Sequence, residues 1–342
     1  MKAVRFHQHG GPEVLRYEDA PDPDLLPGEV LVRVRACALN HLDLWGRRGL
    51  PNVRIPMPHI SGSDVAGEIV ASAAPDVATG RRVMLQPGVS CGRCAACLAG
   101  KDNECPQYEV LGYIHHPGGC AEYVKVPVQN LVPIPDEIDF VHAAAFPLTF
   151  LTAWHMLITR AKLQRGEDVL VLAAGSGVGQ AAIQIAFLYG ARVFATAGSE
   201  EKLERARALG AYEVIHHHKQ DIAEEIRRLT NRRGVDVVIE HVGEATWLKS
   251  VRSLARGGRL VTCGATTGAH GALALTALFV RQLTIMGSYM GTKGELMRAA
   301  RFFFSGQLKP VVDRTFPLQE AAAAHRYMDA SEQFGKIVLD VS

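Results

Sequence analysis

Between Met1 and about Val126 the apolar residues come in short runs broken by glycine and proline: EVLVRVRACAL, SDVAGEIVAS, RRVMLQPG and CAEYVKVP. Alternation with period two sends successive side chains to opposite faces of a strand, so this stretch predicts β-strands joined by turns in a strongly curved, β-rich domain. Between about Pro135 and Leu163 the pattern changes, because FVHAAAFPLTFLTAWHMLITRAKL carries long alanine-rich apolar stretches at helical spacing. These predict helices that connect two domains. After Glu167 strand and helix alternate: DVLVLAA, GSGVGQAAIQIAFLYG, ARVFATA, then SEEKLERARALG, whose Gly210 suits a helix C-terminus. EVIHHH, DIAEEIRRLTNRRG, VDVVIEHVG, ATWLKSVRSLARGG, RLVTCGA and LTIMGSYM continue the rhythm. The fold class is therefore α/β, with a doubly wound parallel sheet of Rossmann type beside the β-rich domain. The tail, from GELMRAARFFF to FGKIVLDVS, reads as helix and strand returning to the first domain. Residues 1–130 and 292–342 are expected to form the β-rich domain and 131–291 the doubly wound domain.

Length and charge narrow the function. A chain of 342 residues exceeds what a single core usually organises, about 250–300. A net charge of +2, with both signs interspersed along the chain, offers no footprint for nucleic acid or an acidic membrane surface. Small-molecule chemistry is the better expectation. The first twenty residues lack the apolar run of a signal peptide, and no stretch reaches the ~18 apolar residues of a membrane span, so a cytoplasmic protein is expected.

The sharpest motif is CGRCAACLAGKDNEC, which sets Cys91, Cys94, Cys97 and Cys105 in a C-x-x-C-x-x-C-x(7)-C spacing. Four thiolates this close together can surround one tetrahedral zinc, in a lobe near residues 88–108. A closed four-sulfur site has no open position, so this metal braces a loop and performs no chemistry. Cys37, Cys120 and Cys263 remain as packed free thiols.

A second motif lies at the junction of a strand and a helix. Gly175, Ser176, Gly177, Val178 and Gly179 form a turn whose backbone N–H groups and helix dipole suit a pyrophosphate. The strand after that helix ends in Ala197, where a carboxylate would hold the ribose of NAD, and Ser199 and Lys202 follow. That pattern favours NADPH, with NADH left open by Glu200 and Glu201. Val242 and Gly264 end later strands, on the side where open α/β sheets bind ligands.

Together these motifs resemble the medium-chain dehydrogenase/reductase superfamily, which includes zinc alcohol dehydrogenases and quinone oxidoreductases. The resemblance runs from MKAVRFHQHGGPEVL through GSDVAGEIV, the cysteine lobe, PLTFLTAWHML and AAGSGVGQAAIQIA to GKIVL. It implies hydride transfer at carbon-4 of a nicotinamide. It also implies a role for Thr152 at the nicotinamide end. His217, after the strand EVI, sits where a ring stacks on the adenosine or else belongs to a solvated strand end, and Lys336 reaches a phosphate or sits on the surface.

The three ligands of a catalytic zinc in the alcohol dehydrogenases fall on Asn40, on Ser63 within Gly62-Ser63-Asp64, and near Leu148. These residues cannot form a three-ligand site with an open position. Ala174, Gly177, Val178 and Gly179 match the A-x-x-G-V-G turn of quinone oxidoreductases. A register shift that gathers Cys37, His41, Asp43, His59 and Asp64 around a metal is the competing possibility.

Without a reacting metal, reduction of a quinone or an α,β-unsaturated carbonyl is the expected chemistry, since hydrogen bonds can stabilise the resulting phenolate or enolate. Asn40 and Ser63 are the candidate donors, with Asp43 and Asp64 orienting them; His41, Trp45 and Tyr113 are further candidates near the substrate. The alternatives are an alcohol dehydrogenase with an atypical or absent catalytic zinc, and a non-catalytic NADPH-binding protein. The family resemblance further implies a homodimer or homotetramer, built on the strand in RQLTIMGSYM.

Overall fold

The computed structural model describes residues 1–342, and packing divides them into two units, Met1–Leu148 with Thr292–Ser342, and Thr149–Gly291. Along the chain the first unit supplies β1 (Lys2–Arg5), β2 (Arg16–Asp19), β3 (Glu29–Ala38), α1 (His41–Arg48), β4 (Asp64–Ser72), β5 (Arg82–Leu85) and β6 (Gly88–Val89). Then follow α2 (Ala95–Leu98), β7 (Glu109–Val110), β8 (Tyr123–Pro127), β9 (Leu131–Pro133) and α3 (Phe140–Ala145). Helix α4 (Pro147–Trp154) crosses the boundary and is continued by a π-helical stretch, His155–Arg160.

Strand β3 shows how the pattern becomes packing. Val30, Val32 and Val34 point into the core while Arg33 faces out, the period-two arrangement of a half-buried strand. Register shifts opposite β4 then leave Ala36, Cys37 and Ala38 buried in succession. The first domain boundary also moves, from residue 130 to Leu148. Leu131–Pro133 pair with β5, and α3 buries Ala143, Ala144 and Ala145 among contacts with β3 and β4, so helical composition there does not mark a new domain.

The second unit contains β10 (Asp168–Val171), α5 (Gly177–Leu188), β11 (Arg192–Ala197), α6 (Glu200–Ala208), β12 (Glu213–His216) and α7 (Ile222–Leu229). It continues with β13 (Val235–Glu240), α8 (Glu244–Ser253), β14 (Leu254–Thr262), α9 (Leu275–Val280) and β15 (Thr284–Gly287). Its sheet is parallel throughout, in the order β12-β11-β10-β13-β14-β15, so the winding reverses beside β10. Leu170, Phe194, Ile215, Val238 and Leu260 form its core. The helix expected to run through ATWLKSVRSLARGG stops at Ser253, because Leu254 already pairs with Val235 as the first residue of β14.

The chain then returns to the first unit as α10 (Lys293–Phe304), β16 (Val312–Pro317), α11 (Ala321–Asp329) and β17 (Lys336–Asp340). A reciprocal capping box between Thr292 and Glu295 starts α10. The large sheet runs β16-β17-β3-β4-β5-β9, with β8 also on β3. Because β3 is antiparallel to both β4 and β17, its last residue, Ala38, pairs with Asp64, the first of β4, and with Val338, two residues after the start of β17. That convergence places the polar site described next. No helix is long and apolar enough to cross a membrane.

Candidate active site, cofactor loop and metal lobe

In the cysteine lobe, Cys94 precedes α2, Cys97 lies within it, and Cys105 follows a 3-10 turn at Asp102–Glu104. Ligand sulfurs of Cys91, Cys94, Cys97 and Cys105 all lie within 4.8 Å of one another. Individual Sγ separations are 3.5 Å for Cys94 to Cys97, 3.6 Å for Cys105 to Cys91 and 3.9 Å for Cys91 to Cys97. A zinc tetrathiolate with arms of about 2.3 Å has edges of roughly 3.8 Å, so the four sulfurs already stand at the corners such an ion needs. Backbone N–H groups of Arg93 and Cys94 lower the Cys91 thiol to about 6, towards the thiolate form that binds metal. The set fits one structural zinc.

A different polar centre forms where the ends of β3, β4 and β17 meet. Asp64 opens β4, paired with Ala38; Lys336 opens β17; Asn40 precedes α1. The Lys336 ammonium, 2% exposed, donates to the Leu39 carbonyl (2.8 Å), Asn40 Oδ1 (2.7 Å) and Asp64 Oδ2 (2.9 Å). Asn40 Nδ2 in turn donates to Asp64 Oδ2 (2.9 Å) and the Ala38 carbonyl (3.3 Å). The other oxygen of Asp64 accepts the backbone N–H of Leu148 at 2.7 Å. Ser63, fully buried, donates from Oγ to the Leu111 carbonyl at 2.6 Å.

Asp43 lies one turn into α1. Its carboxyl oxygens accept the backbone N–H groups of Asn40 (2.7 Å) and Gly62 (3.0 Å). Burial pushes this carboxyl up to about 7 against the opposing pull of those two N–H groups. Gly62 is required here: it has φ of +105°, and a Cβ would come within 2.5 Å of Cys37 Sγ.

This geometry corrects three expectations. Asn40 and Ser63 have no donor left for a substrate oxyanion, because both amide hydrogens and the hydroxyl are already used inside the protein. Lys336 is neither on the surface nor free for a phosphate, since its three donors are bound to groups of its own unit. The metal-binding register shift does not occur either: His59 bonds the Gly112 carbonyl (3.2 Å), Cys37 packs on Cys120, and Asp43 holds two backbone N–H groups. His41, the first residue of α1, is half-buried and makes no side-chain hydrogen bond. Burial, followed by the charges of Lys336 and Arg48, lowers its pKa, so the ring is neutral at pH 7.

In the second unit the glycine turn links β10 to α5. Ser176 caps α5, its Oγ accepting the Gly179 N–H (2.8 Å) and lying 2.8 Å from His241 Nε2. A Cβ on Gly179 would stand 2.3 Å from the Ala173 carbonyl, so glycine is what lets α5 start this close to the strand. Gly175, Gly177 and Val178 complete the turn, at the helix N-terminus. Thr152 on α4 is buried and its Oγ1 has no partner, an orphaned polar atom that suits the nicotinamide end of a dinucleotide.

At the end of β11, Ser199 caps α6 through the Lys202 N–H (3.3 Å), and Ala197 pairs with His216. His217 is held down to about 4 by burial, then by His218, His216, Lys249 and Lys202, so its ring is neutral at pH 7 with two lysines close by. Of the two acids that left NADH open, Glu200 is tied to Lys219 at 2.7 Å, and Glu201, exposed, lies 3.8 Å from Arg205. Val242 and Gly264 sit on the loops after β13 and β14.

Sequence reasoning missed Glu240 and His241. Fully buried, Glu240 accepts the N–H groups of Val242 (2.7 Å) and Gly243 (3.0 Å) and the hydroxyls of Thr246 and Ser250 (2.5 Å), fixing the loop that carries His241 towards Ser176. An acid closing the apolar run VDVVIE was the available signal.

Residues 177–305 match the family of zinc-binding dehydrogenases, and residues 26–136 the alcohol dehydrogenase GroES-like domain. A quinone oxidoreductase of Homo sapiens is 30% identical, with 99% of this chain and 97% of that protein covered. A 2-haloacrylate reductase of Burkholderia sp is 30% identical over 99% of this chain and 98% of its own length. A solved structure described as an NAD-dependent alcohol dehydrogenase shares 48% identity over the whole of both chains, with a TM-score of 0.96. With its parallel dinucleotide sheet, glycine turn and cysteine lobe, the chain belongs to the medium-chain dehydrogenase/reductase superfamily and is an NAD(P)H-dependent oxidoreductase of it.

Proposed function

We propose that this protein is an NADPH-dependent reductase of quinones or α,β-unsaturated carbonyls that works without a catalytic metal. The observation that carries this reading is the closed network of Lys336, Asp64 and Asn40. Where a metal-dependent relative would place ligands, this chain has an amide and a hydroxyl already bonded internally and an aliphatic side chain, beside a buried ammonium.

The bound reduced nicotinamide supplies the hydride. Hydride addition to the β-carbon of an enone moves the C=C electron pair towards the carbonyl and leaves an enolate; addition to a quinone leaves a phenolate. His41 is the group with a hydrogen bond to offer that oxyanion, being neutral and unpartnered beside Asn40. Water then protonates the α-carbon or the phenolate oxygen, so one NADPH and one proton are consumed per substrate reduced.

Lys202 and Lys249, gathered around a neutral His217, support NADPH over NADH, because ammonium groups are partners for a 2′-phosphate and Glu200 is paired with Lys219. A homo-oligomer paired through β15, the edge strand of its sheet, belongs to the same reading.

The 48%-identical structure favours a second reading, an NAD-dependent alcohol dehydrogenase. Steady-state oxidation of NADPH and NADH with a panel of quinones and enones, run against alcohol oxidation, separates the two. Enone or quinone turnover with one zinc per chain that resists chelators is the expected result. Alcohol turnover that depends on a second, chelatable zinc would overturn the proposal.

A further inference from the structure

The dinucleotide unit has a second concavity at the end of its sheet opposite the cofactor loop. Gly234 and Leu254, where β13 and β14 begin, help line a cavity of about 710 Å³ that also carries seven arginines, one carboxylate, Glu224, and no lysine. Strand β13 is six residues long, so roughly 20 Å of sheet separates this cavity from the loops that follow the strands. The net charge of +2 concealed it, because the arginines come from three separate stretches: the end of α7 with the following loop, residues 252–256, and residue 281.

Ordinary structural roles account for some of these groups. Arg228 pairs with Glu225 (2.8 Å), Arg233 pairs with Asp236 and reaches Asp168 (3.4 Å), and Arg281 donates to the Val251 and Leu254 carbonyls. The C-termini of α7 and α8 also favour cations, but two helix ends together amount to about one negative charge. Arg227, Arg232, Arg252 and Arg256 make no side-chain hydrogen bond or ion pair. Glu224 and the helix ends leave at least two of these guanidinium charges unbalanced in one cavity. The Arg281 guanidinium registers the crowding, held below its ordinary pKa by burial and then by the charge of Arg227.

We propose that this cavity binds a small polyphosphate anion, two or more linked phosphate groups, at a site separate from that of the dinucleotide. A guanidinium presents a planar fork that bonds two phosphate oxygens at once, which explains a lining made of arginine and not lysine. The volume lies within the range of small-molecule sites and exceeds what a single phosphate fills.

The test is calorimetric titration of inorganic tripolyphosphate into the full chain, saturated with whichever reduced dinucleotide it turns over, at near-physiological salt. Saturable one-to-one binding is expected, weakened about tenfold or more in the R227A/R252A/R256A variant, with kcat and dinucleotide KM unchanged. ATP run in parallel identifies the source of the anion: equal affinity indicates recognition of the phosphate chain alone, and tighter binding indicates a nucleotide. The proposal fails if no saturable binding appears, if the triple variant binds unchanged, if dinucleotide saturation abolishes binding, or if only a long oligonucleotide binds.

Discussion

The cysteine lobe and the Asn40–Asp64–Lys336 centre belong to the same unit, yet they solve the burial of charged groups in opposite ways. In the lobe, four sulfurs stand within 4.8 Å of one another with no cation from the chain among them, so the arrangement is complete only with an ion. The strand-end centre carries its own cation: one ammonium and one carboxylate, each almost fully buried, satisfy each other and the amide between them. The contrast teaches that convergence of polar groups does not by itself mark a metal site. What matters is whether the protein already supplies the balancing charge.

Breaking the lobe should give the largest effect, because structural zinc contributes on the order of 10 kcal/mol to the segment that folds around it. Cys97→Ser is expected to lose the metal, seen by elemental analysis, and to lower the melting temperature sharply; a variant that keeps one zinc per chain would remove the lobe from this comparison. Next comes Lys336→Met, which strands the Asp64 carboxylate in the core at a cost of about 3–5 kcal/mol. Adding Asp64→Asn should recover a large part of that loss in urea denaturation. If the double variant is no more stable than the single one, the pair is not the self-balanced unit described here.

His41→Phe sharpens the same contrast by testing whether a neutral donor beside the closed centre does chemistry. A fall in kcat of about a hundredfold, with the dinucleotide KM unchanged, is expected. A wild-type rate would assign oxyanion stabilisation elsewhere.

The smallest effect is a slope. Asp43 is raised to about 7 in the folded chain, so its contribution to stability is fully present below the unfolded carboxyl value of about 4 and is lost as pH rises through 7. Between those limits the loss approaches about 1.4 kcal/mol per pH unit. Unfolding free energies measured from pH 5 to pH 7 should fall more steeply for the wild type than for Asp43→Asn; parallel slopes would show that the two backbone N–H groups keep the carboxylate ionised.

How much was legible in the sequence follows from range. The cysteine spacing and the glycine turn are local, since each motif lies within about fifteen residues and its geometry follows from chain connectivity. The partnership of Lys336 with Asn40 and Asp64 spans 296 and 272 residues, and no periodicity reports it. Asn40 and Ser63 had the right chemistry for donors, but whether a donor is free depends on what else reaches it, and only packing decides that.

The sequence by itself determined the element types, the doubly wound order of the second unit and the identity of four metal-ready sulfurs, because all of these depend on near neighbours along the chain. Tertiary structure alone decided that β3 lies antiparallel between β4 and β17. That placement brings three strand ends together and turns one expected substrate donor, Asn40, and one expected phosphate ligand, Lys336, into a buried brace, since groups shielded from water must satisfy one another.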